Sequence, residues 1–151
     1  MSRILVLDDD LRVSRALTLV LECEGYDVTT AGDGQAGLDL LGRAEFDLLI
    51  VDIFMPGADG LETIREVRRR LPALPIVVIS GLQYAGTGLN HNLAVPDFLK
   101  VAVQFGATHS LQKPFKPDEL LRAIKSCLAQ AGGALAGQTS DFAETPGRQT
   151  G

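Results

Sequence analysis

Apolar positions fall along this chain in two alternating rhythms: short unbroken aliphatic runs, and longer stretches in which apolar residues recur every third or fourth position. Ile4-Leu-Val-Leu7 is the first run. It is too short for a helix and rich in strand formers, which predicts a buried strand. Val13, Ala16, Leu17, Val20 and Leu21 then repeat at helical spacing between Val13 and Glu24, and Gly25 supplies a stop. Tyr26–Ala31 reads as a second strand, less apolar and therefore nearer a sheet edge. Asp33-Gly34 turns the chain into a helix over Gln35–Arg43 that carries Ala36, Leu38, Leu40 and Leu41.

The run Asp47–Val51 is almost wholly apolar, as expected of a strand covered on both faces in a parallel sheet, and Asp52 ends it. Turn chemistry follows in Met55-Pro56-Gly57 and Asp59-Gly60. A helix from Leu61 to Arg70 comes next, with Leu61, Ile64, Val67 and the following Leu71 inward and Arg65, Arg68 and Arg69 on a solvated face. Pro75–Ile79 predicts a fourth strand ending in Ser80-Gly81. Leu82–Val95 has no period and reads as a long loop, a length at which loops tend to be functional. Pro96-Asp97 opens a helix that carries Phe98, Leu99, Ala102, Val103 and Phe105 inward and ends at Gly106. Thr108–Gln112 is a short fifth strand ending at Lys113-Pro114, and Pro117 starts a last helix with Leu120, Leu121, Ile124 and Leu128 on one face.

Five strands alternating with five helices predict an α/β domain with a parallel sheet. It is expected to occupy residues 1–130, with 131–151, poor in large apolar residues, as a disordered tail. Strand order is not readable from the pattern.

Composition narrows the function. The chain has 151 residues, a formal net charge of −5 and a pI near 4.9. An acidic surface disfavours nucleic acid as the main partner and leaves proteins and cations. Cys23 and Cys127 both lie in amphipathic patterns and are expected as small core residues, without disulfide or metal cluster. No signal-peptide pattern and no membrane-length apolar run occur, so the cytoplasm is the expected compartment.

Chemistry collects at the carboxyl ends of the strands. Asp8 and Asp9 follow the first, Asp52 ends the third, Ser80 ends the fourth and Lys113 follows the fifth. Standing alone, Asp52 is better explained as a strand end or a turn cap. If these edges converge, however, three carboxylates share one crevice and repel one another unless a cation compensates. A hard divalent ion with oxygen ligands fits, and Mg²⁺ is the cellular candidate. Metal, ammonium and hydroxyl together suit a transferring phosphoryl group, and an aspartate can act as nucleophile to form an acyl phosphate.

Ile4-Leu-Val-Leu-Asp-Asp-Asp10, Asp47–Leu61, Ile76-Val-Val-Ile-Ser80 and Lys113-Pro-Phe115 occur in the order of the motifs of the response-regulator receiver domain of two-component signalling, which the chain resembles over residues 2–130. The resemblance implies a flavodoxin-like (βα)5 doubly wound sheet of strand order 2-1-3-4-5. It implies that Asp52 accepts a phosphoryl group from a histidine kinase or histidine phosphotransferase. Asp9, Asp52 and the Phe54 carbonyl would hold Mg²⁺ directly and Asp8 would hold it through water. Lys113 would pair with phosphoryl oxygens, Ser80 would be the hydroxyl that moves toward them, and Gly81 would leave room for the group. Pro114 is implied to follow a cis peptide bond. Asp10 matches no functional position, and a role at the helix N-terminus is expected for it.

Two departures bear on output. Ser110 stands where the family has an aromatic residue, so the usual rotamer switch cannot operate, and the neighbouring His109 reads as ordinary strand structure. The Leu82–Val95 loop is longer than is usual in the family. Its ordering on phosphorylation is expected to replace the switch, and amide exchange unchanged there by beryllofluoride would count against that. Phe54 and Leu82 are apolar and cannot orient an attacking water, which predicts slow autodephosphorylation.

The expected role is therefore a stand-alone receiver that signals through an unknown protein target, with no catalytic turnover beyond its own phosphorylation and dephosphorylation. Too few residues follow Gln130 for a helix-turn-helix domain, which weighs against a receiver joined to a DNA-binding output. A Mg²⁺-dependent phosphohydrolase would need a second carboxylate at position 54. A flavodoxin-type nucleotide binder would need a Ser/Thr/Gly-rich loop where Asp8-Asp9-Asp10 stands.

Overall fold

Side chains alternate faces along a strand, so a strand apolar at every position must be covered on both sides. β3 (Leu48–Asp52) and β4 (Ile76–Ser80) are buried at every residue. β1 (Arg3–Leu7) is exposed only at Arg3, while β2 (Asp27–Ala31) and β5 (His109–Gln112) are partly open. The five strands form one sheet in the order β2-β1-β3-β4-β5, every pair parallel, with the most apolar strands central and the least apolar at the edges. This is the flavodoxin-like order that the resemblance implied. The computed structural model describes residues 2–53, 60–80, 103–104, 106–113 and 115–131.

Helices cover both faces. Leu5, Leu7, Leu49, Val51 and Val78 point to the face where α3 (Gly60–Arg70) buries Ile64 and Val67, beside partly buried leucines of α2 (Gly34–Arg43). Ile4, Val6, Leu48, Ile50, Val77 and Ile79 point the other way, onto Leu17 and Leu21 of α1 (Leu11–Cys23) and Leu120, Ile124 and Cys127 of the helix at residues 117–131. No helix among the described residues is long and apolar enough to cross a membrane.

Local chemistry starts and stops these elements. Asp10 caps α1, its carboxylate accepting from the Arg12 N–H at 2.9 Å, so the helix begins two residues ahead of the expected Val13. Asp33 caps α2 in the same way through the Ala36 N–H at 2.7 Å. Gly25 takes φ +90° just past α1, a conformation that suits glycine.

Several inward assignments are corrected. Cys23 is exposed, because it lies two residues past buried Leu21 and so points about 200° away around the helix. Ala16 is exposed and Ser14 takes the buried place, its hydroxyl donating to the Leu11 carbonyl at 3.2 Å. Leu71, in the turn beyond α3, is 37% exposed, and Val103 is 47% exposed. Arg68 is not a solvated arginine. It bends back over the end of α3, donating to the Pro72 carbonyl at 2.7 Å and, through two nitrogens, to the Gly106 carbonyl at 3.1 and 2.6 Å.

The expectations for Phe54, the Met55-Pro56-Gly57 turn, Asp59, Gly81, the Leu82–Val95 loop, residues 96–102, Phe105, the Pro114 peptide and residues 132–151 lie outside the described residues. The 117–131 helix runs one residue past the expected domain boundary.

Candidate functional site

In a parallel sheet every strand ends at the same edge, so side chains far apart in sequence meet there. β1 lies between β2 and β3, with Leu7 in register with Val51, which puts the residues that follow, Asp8 and Asp52, at adjacent strand ends. The ladder extends past the strands: Asp8 N–H donates to the Ala31 carbonyl at 3.1 Å, Ile53 N–H to Ile79 at 3.2 Å, and Lys113 N–H to Ser80 at 2.7 Å. These bonds fix the backbone on which each functional side chain is mounted.

Asp8, Asp9 and Asp52 each present a carboxylate oxygen within 4.8 Å of the other two. Asp8 and Asp52 are buried and Asp9 is exposed, so the group opens outward through Asp9. The Lys113 ammonium sits 3.7 Å from Asp8 Oδ2 and 3.6 Å from Asp52 Oδ2. One ammonium offsets only part of three carboxylate charges. The imbalance shows at Asp8, whose carboxyl is pushed up to about 6, chiefly by burial and further by the charges of Asp52 and Asp9. The Asp10 N–H, which donates to Asp8 Oδ1 at 2.9 Å, and Lys113 pull it back down. Among the described residues, Asp8 Oδ2 and Ser80 Oγ are buried without a hydrogen-bond partner.

This donor set fits a small hard cation. Ligand oxygens on opposite sides of Mg²⁺ stand about 4.2 Å apart, given metal–oxygen distances near 2.1 Å. The three carboxylate oxygens lie within 4.8 Å of one another, at most about 0.6 Å beyond that span. An all-oxygen, all-anionic cluster disfavours softer ions. It also lacks what a nucleotide phosphate needs, since no donor-rich loop follows β1.

The structure brings together Asp8, Asp9, Asp52 and Lys113, the carboxylates and amine singled out in the sequence. Ser80 lies on β4 one residue past Ile79, the register partner of Asp52. Phe54 lies outside the described residues. Ser110 is half-buried opposite Val78 in β5, and His109 is exposed at the start of that strand, away from Lys113.

Sequence reasoning missed a groove of about 630 Å³ beside this cluster, walled by Val13, Ala16 and Val20 of α1 and by Phe115 and Leu120, with Lys113 at its edge. Its only signal in the sequence is an apolar stripe on α1 wider than the sheet can cover.

Residues 4–125 match the family model described as the response regulator receiver domain. The chain is 32% identical over 129 residues to the uncharacterized transcriptional regulatory protein YkoG of Bacillus subtilis, covering 85% of this chain and 52% of that protein. It is 34% identical over 146 residues to the transcriptional regulatory protein ResD of the same organism, covering 96% of this chain and 54% of that one. Among solved structures, a putative response regulator from Chloroflexus aurantiacus superposes with a TM-score of 0.73 at 31% identity, covering 85% of this chain and 98% of that one. The chain thus spans about half the length of the curated relatives it matches.

Proposed function

The chain belongs to the response-regulator receiver domain family, and from that premise we propose that it is a phosphoacceptor: Asp52 takes a phosphoryl group from a phosphohistidine of a kinase or phosphotransferase protein. The observation that carries this reading is the meeting of three carboxylates and one ammonium at a single sheet edge. In the proposed step a carboxylate oxygen of Asp52 attacks phosphorus, the donor's P–N bond breaks, and the imidazole nitrogen leaves with the bonding electron pair and takes up a proton. An acyl phosphate forms on Asp52.

Asp9 and Asp52 would hold Mg²⁺, with Asp8 behind them. When bound, the ion neutralises charge on the phosphoryl oxygens and lets an anion approach three carboxylates. Lys113, already within 3.6 Å of Asp52, can turn its ammonium to a phosphoryl oxygen. The buried Ser80 hydroxyl, without a partner among the described residues, is available to do the same. The groove between α1 and Phe115 suits an apolar helix of the donor protein, lying close enough to the acids to present an imidazole.

The domain is proposed to act stoichiometrically and to signal by protein contact. Acetyl phosphate with Mg²⁺ should place one phosphoryl group per chain, and Asp52→Asn should abolish it. Continuous turnover of a small phosphate ester without a labelled protein would overturn the proposal in favour of a phosphohydrolase.

A further inference from the structure

In sequence Gly60 looks like turn chemistry, yet it is the first residue of α3 and is buried. A methyl group at this position would collide with the backbone of Ile53, meeting its Cα and coming within 2.8 Å of both its carbonyl carbon and its carbonyl oxygen. Ile53 is the residue after Asp52, and its N–H donates to Ile79 at 3.2 Å. The start of α3 and the end of β3 therefore touch backbone to backbone, in a gap that only a residue without Cβ can fill. We propose that Gly60 is a positioning residue for Asp52, holding the peptide that follows the carboxylate where Asp52 can share a cation with Asp8 and Asp9. This rests on the phosphoacceptor reading above.

Neither side of the contact yields easily. α3 is anchored by Ile64 and Val67, both fully buried, and by Arg68 across to Gly106. Ile53 is itself 5% exposed. Interiors this closely packed pass strain along the chain and do not absorb it. The atoms struck are the Ile53 carbonyl group and Cα, so the displacement begins one peptide from Asp52.

Gly37 provides an internal comparison. A methyl there would also collide, but with the ends of the Leu7 side chain, coming within 2.8 Å of Cδ1. A side-chain end can rotate away, so although Leu7 stands in register with Val51, the strain need not reach the backbone of either strand.

The test compares Gly60→Ala, Gly37→Ala and the parent chain by Mg²⁺ titration, rate of labelling by acetyl phosphate, and thermal unfolding. A misplacement on the order of 1 Å costs about 100-fold in a positioned reaction, so Gly60→Ala is expected to weaken Mg²⁺ binding and slow labelling by about tenfold or more. Gly37→Ala should lose melting temperature while both site readouts stay within about twofold of the parent, the change expected where the strain is absorbed by a flexible side chain. A folded Gly60→Ala that binds Mg²⁺ and labels like the parent overturns the proposal. So does a Gly37→Ala that loses site function to the same degree, since general loosening would then suffice. If Gly60→Ala does not fold, amide exchange in the parent decides: slowing at Ile53 and Gly60 on adding Mg²⁺ supports the coupling, and no change overturns it. A parent chain that neither binds Mg²⁺ nor labels sinks the phosphoacceptor reading itself, a result distinct from the failure of Gly60 alone.

Discussion

Asp8→Asn should make the metal-free protein more stable, although it removes a residue of the functional site. Asp8 is 1% exposed, its Oδ2 has no hydrogen-bond donor among the described residues, and two other carboxylates stand within 4.8 Å. Burial first, and the neighbouring charges second, push its carboxyl from an ordinary 3.8 up to about 6. The folded state therefore holds this proton to higher pH than the unfolded chain does. Stability from this group is full below about 4 and falls as pH rises toward about 6, above which the loss is complete. At about 1.4 kcal/mol per pH unit the difference amounts to about 3 kcal/mol at pH 8. Asparagine cannot ionise, and its carbonyl oxygen can keep the Asp10 N–H that Asp8 Oδ1 accepts at 2.9 Å. Loss of the Lys113 attraction and local relaxation reduce the gain, so about 1–3 kcal/mol is expected at pH 8 in EDTA, or about 3–9 °C in Tm for a domain of this size. Urea unfolding of parent and variant from about pH 4.5 to pH 8 is the assay, because the margin must shrink as the parent's carboxyl becomes protonated. A variant no more stable than the parent at pH 8, or a margin that does not change with pH, would refute the reasoning.

Other outcomes follow from single contacts. Arg68→Ala removes every guanidinium bond to Gly106, Leu71 and Pro72 and should cost about 1–3 kcal/mol in urea unfolding. A loss under a few tenths of a kcal/mol would return Arg68 to the solvated face. Asp10→Ala removes the α1 cap and should cost about 1 kcal/mol, seen as a lower urea midpoint with an unchanged m-value; an unshifted midpoint would contradict it. In the native protein a thiol reagent should modify Cys23 promptly and Cys127 only on unfolding, since Cys127 is buried and burial pushes its thiol pKa up. Prompt reaction of both cysteines would show that the helix at 117–131 is not packed on the sheet as described.

Legibility in the sequence followed burial. β3 and β4 are covered on both faces, so their residues had to be apolar throughout, and the first polar residue in each run marked the strand end. That is why Asp52 and Ser80 stood out. β2, at the edge, needed less covering and gave a weaker pattern. Strand order was not in the periodicity, because it depends on which crossovers pack together; the motif resemblance supplied it. Helix faces were read less well, as Ser14, Ala16, Cys23 and Leu71 show, because 3.6-residue spacing leaves the borders of an apolar stripe undefined. Two features had no local signature at all. Arg68 looks like its neighbours Arg69 and Arg70 until Gly106 is folded next to it. Gly60 looks like any turn glycine until the backbone of Ile53 is set against it.

Asp8, Asp9 and Asp52 are proposed to gather around one divalent cation beside Lys113. Titrating the protein with substoichiometric Mn²⁺, a paramagnetic substitute for Mg²⁺, and recording amide NMR signals tests it most directly. Signals of Asp8, Asp9, Asp52, Ile53 and Lys113 should broaden first and recover when Mg²⁺ is added in excess. Broadening centred instead on the acids of α3, Glu62 and Glu66, with the Asp52 region untouched, would contradict the account.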